Sequence, residues 1–239
     1  MSVTNYHPVF LSLTGRAVLI VGGGSIAHEK TESLKLCGAT ITILSPRLSG
    51  AIKTEVEAGR LAWIEKSFEP TDLIPYFMII AATDDPKVNA EVFRAGNALN
   101  RLTNSVDDPE NCNFIMSAIV RQGPIQVAVS SSGCSPALAQ RIRNCISQDL
   151  VTPEIGRLGE FLGRWRPAVK SSLSSYKHRQ GFWERVLSSE IPSLLAQDEH
   201  SANRRMNTIL GWAREHPDCL LCGNHEHGFT ASCDCNGGA

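Results

Sequence analysis

A glycine-rich turn near the start of the chain is the clearest sign of chemistry in the sequence. It directly follows the apolar run 18–21 and precedes a helical pattern. In nucleotide-binding folds such glycines allow a tight turn and let a pyrophosphate approach the backbone, while the N–H groups at the start of the next helix face the phosphates. The spacing therefore predicts a dinucleotide site, and the alternative is a structural turn that binds nothing. The predicted contact residues are Gly22, Gly23, Gly24, Ser25 and Ile26.

The residues after the second apolar run bear on which dinucleotide binds. At this position an acidic residue commonly holds the ribose hydroxyls of NAD, but the sequence has Pro46 and Arg47 and no acid. An arginine suits the 2′-phosphate of NADP instead. We expect Pro46 and Arg47 to contact the cofactor, and the residues alone leave the choice between NAD and NADP open.

Polar loops follow two further apolar runs. Thr83 closes one run and Asp84 follows it, while Asp107 follows the next predicted strand. Open α/β sheets bind ligands outside the carboxyl ends of their strands, so we assign Thr83 and Asp84 to the nicotinamide side of the cofactor. By the same reasoning Asp107 is a candidate catalytic carboxylate. The alternative is that Asp107, with the Asp-Pro pair after it, only begins a turn.

The last segment of the chain is dense in cysteine and histidine. Thiolate and imidazole are preferred ligands of zinc and other soft transition metals, and a Cys-x-x-Cys pair can bind one ion. The His-x-His and Cys-x-Cys pairs match no standard zinc-finger spacing, and the nearby glycines favour a segment that orders only around a metal. A transition-metal site and a disordered tail with reactive thiols are both open. The candidate ligands are Cys219, Cys222, His225, His227, Cys233 and Cys235.

Alternating strand and helix patterns must position these residues. Over residues 16–106 short apolar runs alternate with helical patterns, which predicts a parallel sheet covered by helices. Two later runs, 113–120 and 125–130, are too close together for a parallel crossover and predict an antiparallel hairpin. From Pro136 to about His216 the pattern is helical. We expect this helical region to be interrupted near three prolines, Pro153, Pro167 and Pro192.

The overall composition excludes several classes of function. The chain has 239 residues, of which 42% are hydrophobic and 20% charged, and its formal net charge is −1. Nonspecific nucleic-acid binding needs a basic excess, so we expect no nucleic-acid partner. No apolar run reaches the length of a membrane span, and the N-terminus lacks the pattern of a signal peptide. We therefore expect no membrane association and a cytoplasmic location, where cysteines mostly stay reduced.

Five motifs carry a resemblance to a known family. They are GRAVLIVGGGSIAHEK, IIAATDD, NSVDDPENCNFIMSAIV, QVAVSSSGCSPALAQRIR and HRQGFWERV. In this order and spacing, over about residues 5–190, they resemble the precorrin-2 dehydrogenases of sirohaem synthesis, including the dehydrogenase and ferrochelatase half of larger sirohaem synthases. The resemblance implies NAD-dependent oxidation of the tetrapyrrole precorrin-2 to sirohydrochlorin. In some members it also implies insertion of ferrous iron to give sirohaem, and it leaves open whether this chain does so.

The resemblance also implies an assembly and a role for Asp107. Family members are homodimers with a Rossmann domain, a dimerisation region and a small helical domain. Asp107 is the first aspartate of the family's V-D motif, which makes it the candidate base for the proton released in the oxidation. The resemblance does not reach the Cys/His-rich tail. A competing hypothesis from another class is a regulatory module that senses NAD without turnover.

Together these observations predict an α/β fold. We expect a Rossmann-type doubly wound parallel sheet, followed by a hairpin and dimerisation region and a small helical domain. The expected divisions are an NAD-binding domain at 1–112, a dimerisation region at 113–150, a helical domain at 151–216 and the tail at 217–239.

Overall fold

The computed structural model describes residues 5–221. The described chain forms two compact units. The first contains the residues up to Ser117 together with Ser130–Pro136, and the second contains Ala118–Val129 together with the residues from Ala137 onward. The expected divisions at 112, 150 and 216 stay a prediction. None of the described helices combines the length and the apolar character that crossing a bilayer requires.

The first unit is built on a five-stranded parallel sheet in the order β3-β2-β1-β4-β5. This order confirms the predicted Rossmann-type, doubly wound fold, whose topological switch point lies between β1 and β4. The strands are β1 Ala17–Val21, β2 Thr40–Leu44, β3 Ala62–Ile64, β4 Met78–Ala81 and β5 Leu102–Ser105. The helices are α1 Ser25–Lys35, α2 Gly50–Glu57 and α3 Pro86–Ala98, and short 3-10 turns span Pro70–Leu73 and Pro109–Asn111.

The apolar runs form strands because the sheet is covered on both faces. Along β1, Val18 and Ile20 pack into one hydrophobic cluster, and the intervening Leu19 and Val21 pack into another. All four side chains are essentially inaccessible to solvent. A central parallel strand that is buried on two faces has a continuous apolar sequence, and both β1 and β4 have such a sequence.

A left-handed turn at Gly38 follows α1. Gly38 has a φ of +71°, and its N–H donates to the carbonyl of Lys35, the last residue of α1. The chain then enters β2, which pairs in parallel with β1 from Ala17 opposite Thr40 to Val21 opposite Leu44. The register brings the carboxyl ends of both strands to the same edge of the sheet.

The second unit begins with the predicted antiparallel hairpin, but the strand limits differ from those expected. The strands are β6 Ala118–Gln122 and β7 Ile125–Val129, paired with Val120 opposite Val127. The ladder therefore extends to Gln122, and only Gly123 and Pro124 form the turn. Gly123 has a φ of +52°, a conformation that a two-residue hairpin turn requires and that glycine adopts without strain.

Helices complete the second unit. They are α4 Pro136–Asp149, α5 Pro153–Ser172, α6 Tyr176–Ser188, α7 Ile191–Gln197 and α8 Glu199–Glu215, with a 3-10 turn at Pro217–Leu220. Pro153 and Pro192 lie at helix starts, as expected. The predicted interruption at Pro167 is wrong, because α5 continues through this residue. Phe161 and Val169, on either side of it, are fully buried in one core, and this burial offsets the roughly 3 kcal/mol that an internal proline costs.

Candidate functional site

A cleft of about 490 Å³ lies at the carboxyl ends of β1, β2 and β4. This is the edge of the sheet, beside the switch point, where open α/β sheets bind their ligands. Seven of the nine predicted cofactor residues line it: Gly22, Gly23, Gly24, Pro46, Arg47, Thr83 and Asp84. The two others, Ser25 and Ile26, are exposed on the first turn of α1 and are not among the lining residues. All nine assignments as cofactor contacts stay predictions.

The glycine turn is held by close backbone packing. A Cβ added to Gly22, whose φ is +127°, would lie 2.2 Å from the carbonyl oxygen of Ala82, and one added to Gly23 would lie 2.1 Å from that of Arg47. Gly24 differs, since no atom lies within 4 Å of its ideal Cβ position. The first two glycines are therefore required by the protein's own packing, whereas Gly24 keeps the space above the turn open.

The loop after β2 is fixed against this turn. The Ser45 hydroxyl donates to the carbonyl of Arg47 at 2.8 Å, and the Ser49 N–H donates to the carbonyl of Gly23 at 2.7 Å. The Trp63 indole N–H donates to the carbonyl of Ser45 at 2.9 Å. These bonds set the backbone of Arg47 beside the glycine turn, in the wall of the cleft.

The loop after β4 is fixed by a residue of α3. The side-chain oxygen of Asn89 accepts from the Thr83 hydroxyl at 2.7 Å and from the Thr83 N–H at 3.2 Å, and its amide donates to the Thr83 carbonyl at 3.0 Å. Asp85 accepts from the N–H of Lys87 at 2.8 Å and so caps α3. Asp84, between these two fixed residues, lines the cleft.

Asp107 lies in the loop after β5, at the same edge of the sheet as the cleft but outside its lining residues. Its side chain is exposed, and its φ is +60°, a left-handed conformation that is uncommon outside glycine, asparagine and aspartate. The preceding Val106 donates its N–H to the carbonyl of Ala81 at 2.9 Å. The Asp107 loop thus starts next to the end of β4, which carries the cofactor cleft.

A thiol and two amides hold this loop. The Cys112 thiol lies 3.2 Å from the Ser105 carbonyl and 3.1 Å from the Asp108 carbonyl, so it can donate to either. The Asn104 amide donates to the Cys112 sulfur at 3.2 Å, and the Asn111 amide donates to the Asp108 carboxylate at 2.7 Å. Burial raises the pKa of the Cys112 thiol, and the nearby negative charge of Asp108 raises it further. The thiol therefore remains a protonated donor near neutral pH.

Several residues of the site were missed from the sequence. Ser67 and Phe68 line the cleft from the loop after β3, and Ser49 lines it from the start of α2. The signal for Ser67 and Phe68 was available, because β3 is parallel to β2 and must end at the same edge. Asn89 and Cys112 had no such signal, since their contacts depend on how α3 and the β5 loop pack.

Of the proposed metal ligands, only Cys219 lies within the described residues. It is buried in the 3-10 turn after α8, and its backbone carbonyl accepts from the guanidinium of Arg185. This contact uses the backbone oxygen of Cys219 and does not involve its thiol. Within residues 5–221 no cluster of three or more potential metal ligands is present. The remaining candidates lie outside the described residues: Cys222, His225, His227, Cys233 and Cys235.

The sheet order, the glycine turn and the cleft define a Rossmann-type dinucleotide-binding protein. Three family models match successive parts of the chain. A model described as "Putative NAD(P)-binding" matches residues 9–118, one for the central region of sirohaem biosynthesis proteins matches residues 122–148, and one for the sirohaem synthase dimerisation region matches residues 154–210.

Full-length relatives and a solved structure agree with these matches. Siroheme synthase 1 of Pectobacterium atrosepticum is 39% identical over 80% of this chain, and the siroheme synthase of Photorhabdus laumondii is 36% identical over 82%. The chain spans only 40% and 41% of the length of these two relatives. The structure of SirC, a precorrin-2 dehydrogenase, matches with a TM-score of 0.71 and 26% identity, over 85% of this chain and 98% of SirC.

Over most of its length the chain is therefore similar to the precorrin-2 dehydrogenases and the corresponding half of the sirohaem synthases. The resemblance inferred from the five motifs is confirmed. The residues matched by the dimerisation model, 154–210, comprise most of α5, all of α6 and α7, and most of α8.

Proposed function

We propose that this chain oxidises precorrin-2 to sirohydrochlorin with NAD as the hydride acceptor. The observation that carries the proposal is the cleft at the switch point of the sheet, with Asp107 in the loop after the neighbouring strand. The similarity to known proteins supports the same conclusion, since the structurally similar SirC is named a precorrin-2 dehydrogenase. The siroheme synthases support the pathway.

The residues of the cleft fit a dinucleotide. Gly22 and Gly23 hold the turn against the ends of the neighbouring strands, and Gly24 leaves open space where a pyrophosphate can approach the backbone. The Ser49 hydroxyl lies beside the cleft and is buried without a hydrogen-bond partner in the described chain. When bound, the nicotinamide supplies an electrophilic carbon that takes the hydride.

In this reaction the chain's own residues must position the tetrapyrrole and accept a proton. Precorrin-2 loses a hydride to NAD and a proton to a base, so the products are sirohydrochlorin, NADH and one proton. Asp107 is the proposed acceptor, because an exposed carboxylate at the carboxyl edge of the sheet can reach a substrate over the cleft. The left-handed backbone at Asp107 and the bonds of Cys112 then serve to fix the direction of this carboxylate.

We also propose that the protein is a homodimer. The match to a dimerisation region supports this assembly. In addition, apolar side chains are exposed on α4 and directly after it, with Leu138 and Ile142 of the helix at 52% and 43% exposure and Leu150, which follows it, at 66%. A second copy of the chain would remove this apolar surface from water.

Light scattering tests the dimer. The wild type should have the mass of a dimer, and the double variant Leu138→Glu/Ile142→Glu should have the mass of a monomer. The control is Leu36→Glu, which changes an exposed apolar residue directly after α1 and should leave the mass unchanged.

The enzyme assay separates dehydrogenation from the competing roles. Purified protein is mixed with NAD and enzymatically prepared precorrin-2, and sirohydrochlorin and NADH are followed by their absorbance. Equal amounts of both products support the proposal. Bound NAD without either product would favour the NAD-sensing module. Ferrous iron added afterwards tests the second activity of some family members, and conversion to sirohaem above the rate without protein would assign iron insertion to this chain.

Metal binding by the tail is a separate proposal that rests on the density of thiol and imidazole groups in the sequence. The 3-10 turn contacts α6, where a Cβ on Gly181 would lie 2.0 Å from the Leu220 carbonyl oxygen, so a truncated chain should retain residues through Leu221. Elemental analysis after incubation with zinc under reducing conditions should show metal in the full chain only. Equal amounts of bound metal in the full and the truncated chain would contradict a metal site in the tail.

A further inference from the structure

The half of the cleft formed by β2 has no negative charge among its described residues. The two acids that line the cleft, Asp84 and Asp85, both follow β4, on the other side of β1. Ser45, Pro46 and Arg47 occupy the end of β2, the position at which a Rossmann fold distinguishes the two nicotinamide dinucleotides. An acid at this position bonds the ribose hydroxyls of NAD and repels a 2′-phosphate, so its replacement by arginine changes what the site can accept.

The positive charge of Arg47 is not paired with an acidic side chain within residues 5–221. Its side chain is exposed at the cleft, and its guanidinium makes no ion pair or hydrogen bond within residues 5–221. Three other cations of the same unit are paired. Lys35 and Arg60 both bond to Glu55, and Lys66 bonds to Asp72. Arg47 therefore retains all its donors for a ligand, and a guanidinium is well suited to a phosphate because it can form two parallel bonds.

The backbone around Arg47 is held by hydrogen bonds and close packing. The Ser45 hydroxyl accepts from the Arg47 N–H at 3.4 Å and donates to its carbonyl at 2.8 Å, and that carbonyl lies against Gly23 with no room for a Cβ between them. The base of the arginine is thus fixed next to the pyrophosphate turn. These contacts determine where the Arg47 backbone lies relative to the glycine turn.

Ser49 provides a second polar group on the same side. Its hydroxyl is buried and has no partner in the described chain, and it does not cap α2, although Ser49 is the residue before that helix. A serine hydroxyl without a partner can donate a hydrogen bond to a ligand oxygen. Arg47 is thus the charged group at this end of the cleft, and Ser49 is an additional hydrogen-bond donor.

We infer that Arg47 forms a 2′-phosphate subsite at the β2 end of the cleft, so that this chain binds NADP as well as NAD. The inference rests on the proposed dinucleotide function and specifies the cofactor. The ligand class is an adenosine dinucleotide with a 2′-phosphate, and the subsite distinguishes it from NAD by the contact of one guanidinium with a dianionic group.

The test measures binding, without the tetrapyrrole. Titration calorimetry gives the Kd values of NADP and NAD, and 2′,5′-ADP serves as a probe that carries the 2′-phosphate without the nicotinamide. The variants are Arg47→Ala and, as a control for general positive charge, Lys53→Ala, an exposed lysine on the neighbouring α2. We expect the wild type to bind NADP at least as tightly as NAD. We expect Arg47→Ala to weaken NADP and 2′,5′-ADP by about tenfold or more and NAD by less than about twofold.

Lys53→Ala should change all three Kd values by less than about twofold, because an exposed charge is screened by salt. A wild type that prefers NAD by more than tenfold overturns the inference, as does an equal loss of NAD and NADP binding in Arg47→Ala. In both of these cases NAD still binds, so the proposed dehydrogenase function stands. If neither dinucleotide binds to the folded wild type, the proposed function and the subsite are both wrong.

Discussion

The glycine turn after β1 and the Asp107 loop after β5 lie at the same edge of one sheet, but different forces hold them. The turn is fixed by backbone packing, since a Cβ on Gly22 or Gly23 would lie within about 2.2 Å of a carbonyl oxygen. The Asp107 loop is fixed by side-chain hydrogen bonds from Cys112 and Asn104. A site held by packing tolerates no added atom, whereas one held by hydrogen bonds tolerates replacements that keep the donors.

The largest effect is expected from Gly22→Ala. Its φ of +127° is strained for any residue with a Cβ, and the new methyl group would meet the Ala82 carbonyl. We expect a loss of at least about 2 kcal/mol of unfolding free energy and no measurable NAD binding. Gly24→Asp is the matched variant, because the position is open: it should unfold like the wild type in urea but fail to bind NAD. Wild-type stability of Gly22→Ala would contradict the packing explanation.

The next largest effect is expected at Asp107. Asparagine adopts the left-handed conformation as readily as aspartate, so Asp107→Asn removes the base without straining the loop. Dehydrogenation should slow by about a hundredfold or more, with the Kd for NAD within about twofold of the wild-type value. Steady-state rates and calorimetry provide the two measurements. Wild-type turnover in this variant would remove Asp107 from the mechanism.

A smaller effect is expected at Cys112, and it depends on the replacement. Cys112→Ala removes the donor to the Ser105 and Asp108 carbonyls, and the freed loop should lower kcat on the order of fivefold, the size of one lost hydrogen bond. Cys112→Ser keeps a donor and should restore most of the rate. The KM for NAD should not change in either variant. If serine and alanine behave alike, hydrogen bonding by this side chain does not position Asp107.

The smallest effect concerns the charged surface between α1 and α2, away from both regions. Bonds from Arg60 and Lys35 lower the pKa of Glu55 from the ordinary 4.5 to about 2. A lowered pKa stabilises the fold above pH 4.5, and this stabilisation is lost as the pH falls from 4.5 to 2. Glu55→Gln should therefore flatten the decline of the melting temperature in that interval and leave cofactor binding unchanged. An identical pH profile in both proteins would show that the pair contributes nothing.

The sequence revealed the parts of the molecule that depend on local patterns. Apolar runs indicated the buried strands, and glycine spacing indicated the turn. The strand order confirms the fold class drawn from them. The antiparallel pairing of the hairpin was predicted correctly, but the limits of its first strand were not. The alternation of apolar and polar residues alone does not show that the paired strand extends to Gln122.

The sequence did not reveal features that depend on packing between elements. The continuation of α5 through Pro167 depends on the core that buries both sides of the helix. The bonds of Asn89 and Cys112 to their loops join residues whose proximity follows only from the three-dimensional fold. Ser25 and Ile26 match the glycine motif, but the first turn of α1 carries them outside the lining of the cleft.

The most direct test of the proposed oxidation is a single-turnover reaction of wild-type protein with NAD and precorrin-2, in which both products are quantified. One molecule of NADH should form for each molecule of sirohydrochlorin, at a rate far above that of the mixture without protein. Formation of sirohydrochlorin without NADH, or no sirohydrochlorin from protein shown to bind NAD, would contradict the proposed dehydrogenase.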